Sequence, residues 1–256
     1  MSNSFNMAFG YPREIEQAKK EGWAFLLPVG TMEFHGPSVP YGCDTLTAIG
    51  LCEEFAKKTK AVILPPIWYG VASWAVGGPE TATINVNVDT FEQYVYDILS
   101  SLFHAGINRN IHIVLCHQTE DLLPMTLACM KAAKKLTFDY LDETKGYGWW
   151  GKNENKEFYQ NLTDEDNPWK WVRFILSSSR LPEDKGVSGG DHAGKYECGM
   201  LEYLFPGTVK LERLGESDAW FIQNSVDMSV EDGKAKVEAV TRYFLANSNK
   251  IKEQEN

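Results

Sequence analysis

The chain has 256 residues, enough for one large domain or two small ones, and its 43% hydrophobic and 23% charged residues exclude a disordered, collagen-like or coiled-coil protein. Lys and Arg number 25 against 35 Asp and Glu, a net charge of -10, which argues against nucleic acid or an anionic membrane as partner because both require a basic surface. Most of the surplus carboxylates read as solvated surface, leaving open whether a few belong to a metal site.

The first residues lack a basic start followed by an apolar run, so no secretory signal is expected, and no stretch approaches the ~18 apolar residues of a spanning helix. Residues 24–30 form a short apolar run ending in Gly30, which suits a buried strand. Asp44 to Lys58 has helical spacing, with Asp44 or Thr45 as its cap. Residues 61–65 read as a second strand and 67–89, with Gly70, Gly77, Gly78 and Pro79, as loop. A helix over 90–105, a third strand over 111–116 and an amphipathic helix over 120–136 follow. Residues 137–187 break this rhythm with Gly146, Gly148, Gly151 and four of the eight tryptophans, and are expected to form a Trp-rich insertion in a single domain. Helical patterns over 192–205 and 231–246 complete the chain.

Short apolar strands alternating with amphipathic helices predict an α/β layer fold with a mainly parallel sheet. In such folds the polar residues just beyond strand C-termini gather at one edge and make the active site. The five cysteines are scattered, odd in number and without a CxxC pair, as expected of reduced packing thiols in a cytoplasmic protein.

Three clusters carry candidate chemistry. After the first strand, Glu33 and His35 are two apart and point the same way in an extended segment, and Asp44 follows a Gly/Pro-rich stretch. One imidazole and two carboxylates suit Zn²⁺ or Mn²⁺, although an isolated ExH would be no more than a polar turn. After the third strand come His117 and Glu120, the latter equally suited to capping a helix or to catalysis. His112, mid-strand, reads as structural, and His104 as a surface or capping residue. The third cluster runs from Asp191 and His192 to Glu197. Asp191 caps the following helix or contacts substrate. His192 and Glu197 share a site only if His192 precedes that helix, because a continuous helix would part them.

In this order the clusters resemble the creatininase family: PVGTMEFHGP with Asp44, a strand ending in His117, and HAGKYE from His192, over about residues 24–205. The resemblance implies a three-layer α/β/α fold holding two divalent metal ions per subunit, Zn²⁺ and/or Mn²⁺ with Fe²⁺ also admissible. It implies Glu33, His35, Asp44 and His117 as ligands, with Asp44 bridging. The fifth ligand stands between Glu197 and Glu120, and Glu197 is favoured by its place in the HAGxxE motif. His192 matches the family's catalytic or substrate-contacting histidine, with Glu120, if not a ligand, orienting the water. The implied reaction opens a small polar cyclic substrate at a ring carbonyl with hydroxide generated on the metals.

Ser73 and Trp74 fall in the family's substrate loop. Trp149 and Trp150, with Trp169 and Trp171, either cover the pocket as a lid or pack the insertion or a subunit interface. Homo-oligomers, hexamers among them, are expected by analogy. His117-Gln118-Thr119-Glu120 and Glu197-Cys198-Gly199 depart from the common His-Gly-Gly-Asn and Glu-Thr-Ser, so creatinine is not assumed as substrate. The HQTEDLLPM stretch and the Trp-rich segment look more like a branch implicated in inositol catabolism, which opens the cyclic diketone 3-dehydro-scyllo-inosose. Two rival readings are a non-catalytic metal- or ligand-binding protein on the same scaffold and a cysteine hydrolase using Cys116. The second is weaker, because Cys116 and His117 point to opposite faces of a strand.

Overall fold

The computed structural model describes residues 4–118, 123–187 and 190–248. Five strands, β1 (Ser4–Asn6), β2 (Ala24–Val29), β3 (Ala61–Ile63), β4 (Ile111–Leu115) and β5 (Val172–Leu176), make a parallel sheet in the order β1-β3-β2-β4-β5. Phe25, Leu27 and Val29 of β2 and Ile111, Ile113 and Leu115 of β4 face one core. Ala24, Leu26, Val114 and Cys116 face the other, as strand alternation requires. The first core is covered by α1 (Pro12–Glu21), α3 (Val88–His104) and α4 (Pro124–Lys145). The second is covered by α2 (Cys43–Ala56), α6 (Lys195–Leu204) and α7 (Val230–Asn247), while α5 (Lys156–Gln160) is a single short turn near the first. Burial on both faces explains why these strands read as continuous apolar runs. No helix among the described residues is long and apolar enough to cross a membrane.

The connections place the site. From β2 the chain passes through α2 to β3 on one side, and from β4 through α4 to β5 on the other. The C-terminal ends of β2 and β4 lie side by side, with Val29 opposite Leu115, and the crevice beyond them is the switch point at which open α/β sheets bind ligands.

The structure departs from the expected elements in three places. The first is the N-terminal segment, which supplies edge strand β1 and helix α1; Pro12 in the first turn, the Tyr11–Glu14 capping box and Gly22 at φ 70° are the signals that set α1's ends. The second is α4, which runs to Lys145 rather than Leu136, because Thr137 and Leu141 continue its buried stripe until Gly146 ends it. The third is the segment expected as an insertion, which contributes β5. Arg173 in mid-strand hides its periodicity, yet the strand pairs with β4 over its whole length.

His112 is fully buried in β4, with Nε2 2.9 Å from Asn110 Oδ1 and its ring edge-on to Phe244 at 5.0 Å. Burial, reinforced by the Arg173 charge, pushes it down to about 3, so the native ring is neutral. The unfolded chain takes up a proton here below pH ~6.5 that the native site refuses, so this contribution to stability is complete above that pH and lost as pH falls. Between pH 7 and pH 5, His112→Asn should therefore lose about 2 kcal/mol less unfolding free energy than the parent, measured by urea titration at both values. Equal losses in the two proteins would show that His112 is not the acid-sensitive group.

Candidate metal centre

The loop after β2 brings its polar residues back to the head of α2. The Glu33 amide donates to the Tyr41 carbonyl at 3.0 Å, closing the loop so that Asp44, in the first turn of α2, meets the residues that follow β2. Glu33, His35 and Asp44 are at most 2% exposed, and His117, just past β4, is 8% exposed. Such burial of four polar side chains requires compensation.

Asp44 stands between two groups. Its Oδ1 is 3.4 Å from His35 Nε2, which is 3.5 Å from Glu197 Oε2. Its Oδ2 is 3.1 Å from His117 Nδ1, which is 3.2 Å from Glu33 Oε2. Each ring is held by its other nitrogen. His35 Nδ1 lies 2.9 Å from the Glu33 carbonyl and His117 Nε2 3.1 Å from the Val71 carbonyl. With those nitrogens donating, His35 Nε2 and His117 Nδ1 are turned toward the carboxylates, where loss of their protons to a cation would leave lone pairs to bind it, the arrangement by which backbone carbonyls orient metal-ligating histidines. Glu33 Oε2, His35 Nε2 and Asp44 Oδ2 are buried without a hydrogen-bond partner among the described residues. Metal bonds of about 2.0–2.2 Å in tetrahedral geometry separate ligand atoms by roughly 3.3–3.6 Å, close to the spacings found. Glu33, Asp44 and His117 therefore form one group fit for a divalent cation, and His35 and Glu197, with Cys43 beside them, form a second.

The HAG segment resolves how His192 and Glu197 share this site. Helix α6 begins at Lys195, so His192 lies outside it, and Ala193 turns the chain at φ 52°. A Cβ at Gly194 would stand 2.3 Å from Asp191 Oδ2 and 2.6 Å from Asn224 Oδ1, which explains the glycine. Asp191 accepts from the Tyr196 and Glu197 amides at 3.0 Å each, so both its oxygens cap α6. The Glu197 carboxylate in turn accepts from the Ala193 amide at 2.7 Å. His192 stacks on His35 with ring centroids 4.2 Å apart, and its Nε2 donates to the Phe34 carbonyl at 2.9 Å, leaving Nδ1 as the free base.

The electrostatics show how strongly the cluster calls for positive charge. Burial pushes Glu33 up, and it lifts Glu197 to about 7 against the pull of His35. Burial also disfavours the charged form of His35, but the Glu197 and Asp44 carboxylates outweigh it and lift the ring to about 10. Asp44 is held below the usual carboxylate range, because the His117 and His35 rings outweigh its burial. His192 is different: burial and the charge of His35 bring it down to about 4, so it is a neutral base at pH 7.

Glu33, Asp44, His117, His192 and Glu197 open into a cavity of about 390 Å³ lined also by Asp191, Thr47, Cys116, Gln118, Ser177, Ser178 and Lys236. Its rim is strained. Ser73, Trp74 and Gln118 all have positive φ, and the Gln118 amide donates to Ser73 Oγ at 3.2 Å. Ser73 and Trp74 thus lie on a loop tied to the residue after His117, with Trp74 half exposed. Trp149 and Trp150 do not line this cavity. The 22 residues of α4 span about 33 Å and carry these rings to its far end. There Trp149 packs against Phe138, Tyr159 and Trp169, and Trp150 is exposed. Trp171 is buried beside Phe103 and Tyr140. Glu120 lies outside the described residues. Burial holds the Cys116 thiol well above its ordinary range, so it is not poised as a nucleophile. Lys236, Ser177 and Ser178 were not singled out in the sequence. They come from α7 and the end of β5, and no local motif links them to the ligands.

A family model described as creatinine amidohydrolase matches residues 12–244. The chain belongs to the creatininase family. Among its relatives, the 3-dehydro-scyllo-inosose hydrolase of Thermotoga maritima is 28% identical over 116 residues, 45% of this chain and 36% of the relative's length. The creatinine amidohydrolase of Pseudomonas putida is 22% identical over 196 residues, covering 74% and 67% of the two chains. A solved manganese creatininase is similar in fold, with a TM-score of 0.69 and 18% identity over 95% of this chain and 96% of its own. The family, the parallel sheet and the three-layer arrangement agree with what the three motifs imply.

Proposed function

We propose that this creatininase-family chain is a divalent-metal-dependent hydrolase that opens a small cyclic substrate at a ring carbonyl. The observation that carries this reading is Asp44, which offers one oxygen to the His35–Glu197 pair and the other to His117 and Glu33. Two divalent ions held there supply Lewis acidity and water acidic enough to serve as nucleophile near neutral pH. Glu33, His35, Asp44, His117 and Glu197 hold them, in preference to Glu120, since Glu197 already faces His35. His192, neutral and anchored through Nε2, takes up a proton at Nδ1 and returns it to the leaving atom as the ring opens. The stacked His35 ring fixes the plane in which that nitrogen moves. Asp191 acts by holding the HAG turn in place rather than by touching substrate.

For the substrate we favour an inositol-derived cyclic diketone over a cyclic amide. Gln118, which stands where many family members have glycine, lines the cavity beside His117, and the relative named as a 3-dehydro-scyllo-inosose hydrolase supports this direction. Metal content by elemental analysis, activity before and after chelation, and turnover of 3-dehydro-scyllo-inosose beside creatinine test the proposal together. Expected are tight divalent ions, loss of activity on chelation with recovery on Mn²⁺ or Zn²⁺, and preference for the diketone. Full activity in metal-free protein would sink the metal reading. Bound metal with no turnover of any cyclic carbonyl compound would favour a binding protein instead.

A further inference from the structure

The cavity extends beyond the metal centre along the sheet edge, and that part has a different chemistry. Leu115 of β4 pairs with Leu176 of β5, and the Ser177 amide continues the ladder to the Leu115 carbonyl at 3.0 Å. Ser177 and Ser178 therefore stand one strand over from Cys116 and His117. Neighbouring strands are about 4.8 Å apart, a distance that a small ring with its substituents bridges. Both serines are half-buried, line the cavity, and make no hydroxyl hydrogen bond among the described residues.

Lys236 reaches the same space from α7. Helices α6 and α7 touch backbone to backbone where Gly199 faces Gly233, since a Cβ on Gly233 would lie 2.0 Å from the Gly199 carbonyl oxygen. Lys236 is three residues on, on the same side of α7 as that contact, and its ammonium stands 5.6 Å from the Tyr196 ring centroid. It is the one lysine among the described residues lining the cavity. The Lys236 ammonium brings positive charge to a cavity otherwise lined by carboxylates, those of Glu33, Asp44, Asp191 and Glu197.

Resting on the hydrolase reading above, we propose that Lys236, Ser177 and Ser178 form a specificity pocket for the oxygen-bearing groups of the substrate and of the carboxylate product. A substrate held by its carbonyl at the metals would lay its hydroxyl oxygens against three donors one strand away. A ring lacking such oxygens gains nothing there, and a guanidinium-bearing one is repelled.

Binding to the Mn²⁺-loaded full-length chain, followed by calorimetry, tests this with two probes of equal carbon number, D-gluconate and hexanoate. Both present a carboxylate to the metals, and only gluconate carries hydroxyls. The expected result is gluconate bound about tenfold or more tightly than hexanoate. Lys236→Met and the Ser177→Ala/Ser178→Ala pair should bring that ratio close to one, with the hexanoate Kd and manganese content unchanged and Lys236→Arg restoring part of the preference. Equal binding of the two probes by the parent protein would overturn the pocket. So would a preference that survives both variants, and the double-serine variant keeps this test open should Lys236→Met fold poorly. Absence of hydrolytic turnover would count against the hydrolase reading alone, because the gluconate preference is read without turnover.

Discussion

Asp44→Asn is expected to empty the metal centre. On the two-ion reading proposed above, bound divalent cation, measured by elemental analysis after dialysis, should fall from about two per chain to less than one, and hydrolysis should fall by more than about a hundredfold. The reason is the double use of this side chain. One oxygen faces His35 at 3.4 Å and the other His117 at 3.1 Å, so both halves of the centre depend on it. Losing a hydrogen-bond partner behind a metal ligand typically costs about 10- to 100-fold in affinity, and losing a ligand shared by two ions should exceed that. Asparagine keeps the volume, but its neutral amide turns an N–H toward at least one of the two groups and cannot bridge cations. Unaltered far-ultraviolet circular dichroism would separate loss of metal from loss of fold. Full metal content with normal turnover in this variant would overturn the bridging role.

Gly30→Ala should act on the same centre without touching any candidate ligand. An added Cβ would stand 2.4 Å from the Thr45 amide nitrogen and 2.6 Å from its Cα, backbone atoms that cannot turn aside as a side chain would. The end of β2 and the head of α2 must then separate. Glu33 and His35 follow Gly30, and Asp44 precedes Thr45, so the separation parts the two halves of the ligand set. We expect a loss of about 1–3 kcal/mol or more in unfolding free energy, with weaker metal binding and a smaller rise in Tm on adding Mn²⁺. Gly151→Ala is the matching control. Nothing lies within 4 Å of its added Cβ, and its effect should stay within about 0.5 kcal/mol. Equal behaviour of the two variants would show that the close approach at Gly30 is not what holds the centre together.

The same glycine illustrates how far a sequence can be read. PVGTMEFHGP can be recognised as a unit, and its glycine read as a strand end, but the reason for the glycine is Thr45, fifteen positions away and across a loop. The HAG segment is similar. Sequence spacing left open whether His192 and Glu197 could meet, because a continuous helix would part them. The left-handed turn at Ala193 and the two-oxygen cap by Asp191 start α6 at Lys195 and bring both toward His35. Trp149 and Trp150 mark the limit of proximity along the chain. They follow His117 by some thirty residues, yet an unbroken helix carries them to the opposite end of its layer.

By itself the sequence determined the repeated strand–helix rhythm, the apolar runs buried on both faces of the sheet, and the three polar clusters, since each depends on residues close along the chain. Periodicity and capping are local properties, and polar groups immediately after a strand lie at its C-terminal edge in any parallel sheet. The tertiary structure decided which carboxylate oxygen faces which imidazole, which carbonyls fix the histidine tautomers, and which remote residues complete the cavity. Those depend on strand order and helix crossings. His117 meets Asp44 because β4 pairs beside β2, and Lys236 enters the cavity because Gly233 lets α7 close onto α6. The carboxylates that the overall charge of -10 presents as surface therefore include Glu33 and Asp44, withdrawn into the interior, and Glu197, half-buried against His35. Only a surrounding of buried imidazoles and backbone donors, assembled from four separate segments, makes that burial tolerable and turns it toward binding cations.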